Sequence, residues 1–270
     1  MRNVLLTIAY DGTDFAGWQR QPDAKTVQGE LERALSIVCA EPVTIEGTSR
    51  TDAGVHALAQ RATLRGDFAI PADRIPVAVN GILSAAEGPL KTGAIRVTAA
   101  EEMPEGFHAR FDAIGKTYRY RIEAGPAFDP FDRNRAWFLE RPLNVTAMSE
   151  AAEYLLGTHD FKAFQAAGGN EVPSTVKTID RVEITESRTP LAPGPDGSPR
   201  EEQHITMEFT GSGFLYKMVR NLVGTLVEVG RGKIRPNEMK TILESLDRTT
   251  AGPTAPPQGL YLKEIYYKHE

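Results

Sequence analysis

Element order predicts an α+β fold. The succession strand, helix, strand, strand, helix, strand runs through residues 3–102 and again through 117–267, and 270 residues suit one large domain or two intimate ones. Val27, Leu31, Leu35 and Val38 recur at helical spacing behind Thr26, a suitable N-cap. Two βαββαβ units of the ferredoxin-like kind follow from that order. Paired edge to edge, such half-covered sheets hide their exposed edges in one mostly antiparallel sheet, with helices on one face and a candidate catalytic cleft on the other.

The first unit is expected over 1–106, with strands at 3–10, 43–47, 58–65 and 95–102 and helices at 27–39 and 73–83. Residues 104–110 lead into the second unit, 107–270. Its strands are expected at 117–123, 179–185, 204–210 and 261–267, and its helices at 146–156, stopped by Gly157, and 214–229. Leu215, Val219, Leu222 and Leu226 give the last helix a buried stripe, from which Lys217 and Arg220 can point away. LAPGPDGSPREE (191–202) reads as an exposed hairpin tip.

A composition of 41% hydrophobic and 25% charged residues describes an ordinary soluble globule. The single cysteine, Cys39, excludes an internal disulfide and reads as a small apolar residue near a helix end. MRNVLLTIAYDG has too short an apolar run for a signal peptide or a membrane span, so a cytoplasmic protein without a membrane partner is expected. A net charge of -5 argues against indiscriminate coating of nucleic acid. It leaves room for a local basic surface. Lys217, Arg220, Arg231, Lys233, Arg235 and Lys240 outnumber Glu228 and Glu238, and Arg110, Lys116, Arg119 and Arg121 face only Asp112. Cations interleaved with aromatics suit RNA, although each also fits a solvated face.

GTSRTDAGVHALAQ (47–60) places Asp52 on a turn between two strand-like runs. Arg50 shares a face with Asp52 if the backbone stays extended, and would then keep the carboxylate ionised. The same pattern fits an aspartate bonded to its own turn beside a surface arginine. The length of the connection, residues 48–56, favours a site.

Other motifs fail. GSGFLYK has Tyr216 where a dinucleotide fingerprint needs its third glycine, and GRGKI has Ile234 where a phosphate loop needs Ser or Thr, so no nucleotide cofactor is expected. The five histidines lack metal-ligand spacing, which argues against a metal; His159-Asp160 reads as closing a helix. Acid-base or covalent carboxylate chemistry remains.

SRTDAGVHA (49–57) resembles the catalytic motif of the TruA family of tRNA pseudouridine synthases, as do YDGTDFAGWQRQ (10–21), FHARFDAIGKTYRY (107–120), GTHDFKAF (157–164), GFLYKMVRNLVGTLVEVGRG (213–232) and AGPTAPPQGLYL (251–262) its other blocks, in the same order. Ser49 stands where that family more often has glycine. The resemblance implies isomerisation of uridines 38, 39 and 40 in the tRNA anticodon arm, without a cofactor, by a homodimer whose clefts grip one tRNA. It implies Asp52 as nucleophile, attacking ribose C1′, or as a base that assists glycal formation, Tyr118 packed on a base swung out of its stack, and Arg220 joining Arg50 near Asp52. Leu260 is then expected beneath the base or in the core. Lys217 and Arg110 are candidate RNA contacts, and His56 and Asp11 shape the loop or touch RNA. A non-catalytic RNA-binding module would use the same sheet and cations, but would not need Asp52.

Overall fold

The computed structural model describes residues 1–87, 93–127, 129–169, 172–196 and 198–268. Among these residues ten strands, most of them antiparallel to their neighbours, and five α-helices make the expected α+β fold. Compactness groups residues 1–114 with the stretch from Tyr261 onward, and leaves Gly115–Leu260 as the second unit. The expected division had been 1–106 and 107–270.

In the first unit β1 (Arg2–Tyr10) lies antiparallel between β3 (His56–Gly66) and β4 (Ile95–Glu102). Its Val4, Leu5 and Leu6 are all buried, so both faces of this central strand are covered. β2 (Ile45–Gly47) pairs antiparallel with the far half of β3, which completes the order 4-1-3-2. Helix α1 (Val27–Cys39) starts at Thr26, whose hydroxyl accepts the Gly29 N–H at 3.3 Å, and buries Val27, Leu31 and Leu35. β2 is two residues shorter than expected at its start, where the Val43 N–H donates to Ser36 Oγ on α1 at 3.1 Å. Gln28 Nε2 donates to the Ile45 carbonyl at 3.0 Å and the Ile45 N–H donates to Glu32 Oε1 at 3.1 Å, so side chains take the place of a strand partner. Helix α2 (Ile75–Glu87) begins after a 3₁₀ turn, Ala72–Arg74, and its Asn80 bonds both peptide groups of Val97 on β4 at 2.8 Å.

In the second unit β5 (Ala113–Ala124) pairs antiparallel with β9 (Arg200–Gly211), and β9 with β8 (Val176–Leu191), the order 1-3-2 of the repeat. Short strands β6 (Trp137–Leu139), parallel to β5, and β7 (Gly157–Asp160), antiparallel to β8, were not expected. His159 and Asp160 therefore lie in a strand and do not close a helix. The helix before them, α3 (Val145–Ala152), stops early in a 3₁₀ turn at Glu153–Leu155. β8 and β9 outrun the expected strands because their outer ends are polar and carry charge pairs, such as Arg188 with Glu186 and Glu201, where an apolar alternation would have marked them; the buried Glu202 and Gln203 of β9 give no apolar signal either. The tip between them is shorter than the expected 191–202, since Leu191 ends β8 and Arg200–Glu202 open β9; Gly197 lies outside the described residues.

Helix α4 (Met218–Gly230) starts four residues later than expected, after Lys217 in a left-handed conformation at φ 56°. It carries far more than a stripe. Every α4 residue except Arg220 is buried. Helix α5 (Glu238–Ser245), absent from the sequence reading, buries Met239, Ile242 and Leu243. The repeat's last strand, β10 (Leu260–Tyr267), is grouped with the first unit from Tyr261 onward and pairs in parallel with the start of β3, Tyr261 opposite His56. Among the described residues no helix is long and apolar enough to cross a membrane.

Candidate active site

Asp52 stands in the eight residues, 48–55, that leave the sheet at the end of β2 and rejoin it at β3. The departure is pinned by Gln60, fully buried, whose side-chain oxygen accepts the Ser49 N–H and whose amide donates to the Ser49 carbonyl. Ser49 is itself buried. At the tip the Val55 N–H donates to the Asp52 carbonyl at 3.1 Å, closing a turn with Gly54 at φ 76° in its third position. Asp52 is half-buried on that turn.

Residues 10–21 support this turn; the sequence pointed to Asp11 alone among them as loop-shaping or touching RNA, and left Tyr10, Gly17 and Trp18 without a role. The Trp18 N–H donates to the Thr51 carbonyl at 3.1 Å, and the Tyr10 hydroxyl shares a 2.7 Å hydrogen bond with Thr51 Oγ1 between two buried side chains. Such a bond is worth about 1 kcal/mol net, and more if one partner is stranded. Gly17, at φ 101°, lies so close that a Cβ there would meet the Thr51 carbonyl oxygen at 2.6 Å and the Asp52 carbonyl carbon at 3.2 Å.

Arg50 is exposed, and among the described residues no ion pair or hydrogen bond ties it to Asp52.

His56 is 2% exposed and stacks on Tyr261 with ring centroids 4.7 Å apart, a loop-shaping position in the first unit. Its Nδ1 lies 3.2 Å from Asp11 Oδ1 and 3.0 Å from the Gly12 N–H, so the ring nitrogen serves one of them according to its protonation. The His56 bond, and donors from the Thr13 N–H and hydroxyl that act in either tautomer, hold the Asp11 carboxyl well below the usual carboxylate range. A depressed folded-state value contributes stability above the unfolded value, about 3.9, and loses it as pH falls through the folded one. Asp11→Asn should therefore lower the urea midpoint at neutral pH, with the gap to wild type closing in strong acid. A gap of constant size down to about pH 2 would show that the carboxylate's charge has no part in it.

In the second unit Tyr118 lies on β5, 8% exposed, with its ring edge-on to Phe214 at 5.2 Å. Arg220 is the half-exposed residue of α4, and its Nε donates to the Ala255 carbonyl at 2.7 Å while the Ala255 N–H donates to the Arg220 carbonyl at 3.0 Å. Asn221 and Thr225 continue that attachment. Asn221, fully buried, accepts Thr254 Oγ1 at 2.7 Å and Arg248 Nη2 at 3.0 Å and donates to the Phe164 carbonyl at 2.8 Å; Thr225 Oγ1 accepts the Gly252 N–H at 2.9 Å. Polar residues inside a helix give little sequence signal of such a role. Burial drives the Tyr120 phenol far above its usual value, and its hydroxyl donates to the Pro256 carbonyl at 2.7 Å. Leu260 is buried at 7% exposure. Lys217 reaches over the Tyr216 ring at 5.0 Å, and Arg110, in the first unit, over Phe111 at 5.7 Å.

The family model described as tRNA pseudouridine synthase matches residues 6–112 and 151–268. The tRNA pseudouridine synthase A of Ruminiclostridium cellulolyticum is 45% identical over 267 residues, covering 99% of this chain and 100% of its own. The proteins of that name from Thermoanaerobacter pseudethanolicus and Acetivibrio thermocellus are each 43% identical over 267 residues, with the same coverage. Among solved structures, an unknown protein from Galdieria sulphuraria aligns at a TM-score of 0.20 and 11% identity over 86% of this chain and 92% of that one, a likeness too weak to bear on the fold. Identity at this level over nearly the whole length of both chains leaves one assignment: the chain belongs to the tRNA pseudouridine synthase family, whose members are isomerase enzymes.

Proposed function

We propose that the chain isomerises uridine to pseudouridine at positions 38, 39 and 40 of the tRNA anticodon arm, with Asp52 as nucleophile or base. The observation that carries this reading is the construction around Asp52. A half-exposed carboxylate is mounted on a turn whose flanking residues are buried and hydrogen-bonded from three sides, the preorganisation a reacting group needs. The reaction asks little else. The bond from ribose C1′ to N1 breaks, the uracil turns, C1′ joins C5, the C5 proton leaves and N1 takes one up.

Asp52 either attacks C1′ or removes a ribose proton on the way to a glycal. The uridine must leave its stack first, and Tyr118 is the aromatic face that receives it, with Leu260 against the base. Arg220 on α4 is the arginine that the family resemblance adds to the reaction. Arg50, exposed on the loop, takes phosphate together with Lys217 and Arg110. His56 shapes the loop. In this reading the protein is a cytoplasmic homodimer that grips one tRNA.

The test is incubation with tRNA tritiated at uracil C5. Label release is expected, because C5 loses its hydrogen when the new bond forms, and no release under single-turnover conditions would remove the assignment. Binding of the tRNA should weaken steeply as salt rises while the dimer persists.

A further inference from the structure

Phe111 is 75% exposed, although the segment that carries it is tied down. Ala109, two residues earlier, is fully buried; its N–H donates to Thr63 Oγ1 at 2.9 Å, and its carbonyl accepts Tyr267 Oη at 2.8 Å and Thr48 Oγ1 at 3.0 Å. The Phe107 carbonyl accepts Asn3 Nδ2 at 2.8 Å and Arg65 Nη2 at 2.9 Å. The loop is then closed on itself by the His108 N–H to Asp112 Oδ2 at 2.7 Å and the Asp112 N–H to the His108 carbonyl at 3.0 Å. An exposed ring at a fraying end needs no explanation. One held out by a loop bonded at nearly every peptide is built to meet something.

The neighbours of the ring say what. The His108 imidazole lies 4.3 Å from it, centroid to centroid, and the Arg110 guanidinium 5.7 Å from its centre. His108 is in turn fixed by Glu46, 2.9 Å from its Nε2. A rigid aromatic face beside a guanidinium is the chemistry that takes an unstacked base together with its phosphate. We infer that Phe111, with Arg110 and His108, is a stacking platform for an unpaired nucleobase of the tRNA other than the uridine being isomerised. The inference rests on tRNA being the substrate. It extends the first unit's role from holding Asp52 to gripping RNA, through Thr48, which belongs to the Asp52 loop and bonds the same Ala109 carbonyl.

The experiment compares wild type, F111A and F111W on an unmodified tRNA transcript. F111A should raise KM about tenfold, the loss of one base–aromatic stack, with the effect in KM and not in kcat. F111W should restore KM, and tRNA should quench its fluorescence beyond the quench of the wild type, whose tryptophans are Trp18 and Trp137. An unchanged KM in F111A overturns the inference, as does a rise that F111W fails to recover, which would mark a purely structural ring. A lower mass of tRNA-free F111A by light scattering would also overturn it, by showing that the ring packs on a second copy of the chain. A wild type that releases no label from C5-tritiated tRNA would remove the substrate reading and the inference together.

Discussion

Asp52→Asn should leave a folded, tRNA-binding protein whose release of label from C5-tritiated tRNA falls by at least about 10³-fold. The exchange is nearly isosteric, and the turn survives it because the Val55 N–H bonds the backbone carbonyl of residue 52 and not its side chain. What disappears is the charge. An amide is neither a nucleophile toward C1′ nor a base toward a ribose proton, so both routes stop. A single-turnover rate within a few-fold of wild type would rule out either use of the carboxylate. Loss of tRNA binding in parallel with the rate would make it a binding group.

Gly17→Ala is expected to damage the same site from behind. At φ 101° an L-residue is strained, and the new methyl group would meet backbone at Thr51 and Asp52, which cannot swing aside as a flexible side chain could. Together these cost about 2–4 kcal/mol of stability, read as a lowered urea midpoint. The larger consequence is catalytic. Relief of the contact moves the peptide that carries Asp52, so kcat should fall well beyond any change in KM, even where the variant is fully folded. A variant with a lowered midpoint but wild-type kcat would separate the support of the turn from its chemistry.

Much of this was legible in the sequence, and the failures have physical causes. β1, α1 and β4 are marked by patterns that burial imposes, and they lie where those patterns put them, to within a residue. β8 and β9 are held in their outer halves by a ladder of polar and charged residues, to which a reading based on apolar alternation is blind. Asp52 was visible because a carboxylate in a glycine-ended turn is a local signal. What holds the turn was not visible, because Tyr10 and Trp18, which bond Thr51 next to Asp52, lie some forty and thirty residues away in sequence. Asn221 and Thr225 stayed hidden for a similar reason. Their partners come from a segment that spacing along one helix cannot reveal.

The placement of β10 bears on how the enzyme is made. Its Tyr267 hydroxyl holds the Ala109 carbonyl and lies 3.1 Å from Thr48 Oγ1, and Tyr261 provides the stacking face for His56. These residues leave the ribosome after all of the second unit, so a nascent chain carrying the whole of residues 1–114 still lacks the strand that seats its reactive loop. A polypeptide abandoned before residue 261 would therefore carry Asp52 on a loop whose mounting is unfinished.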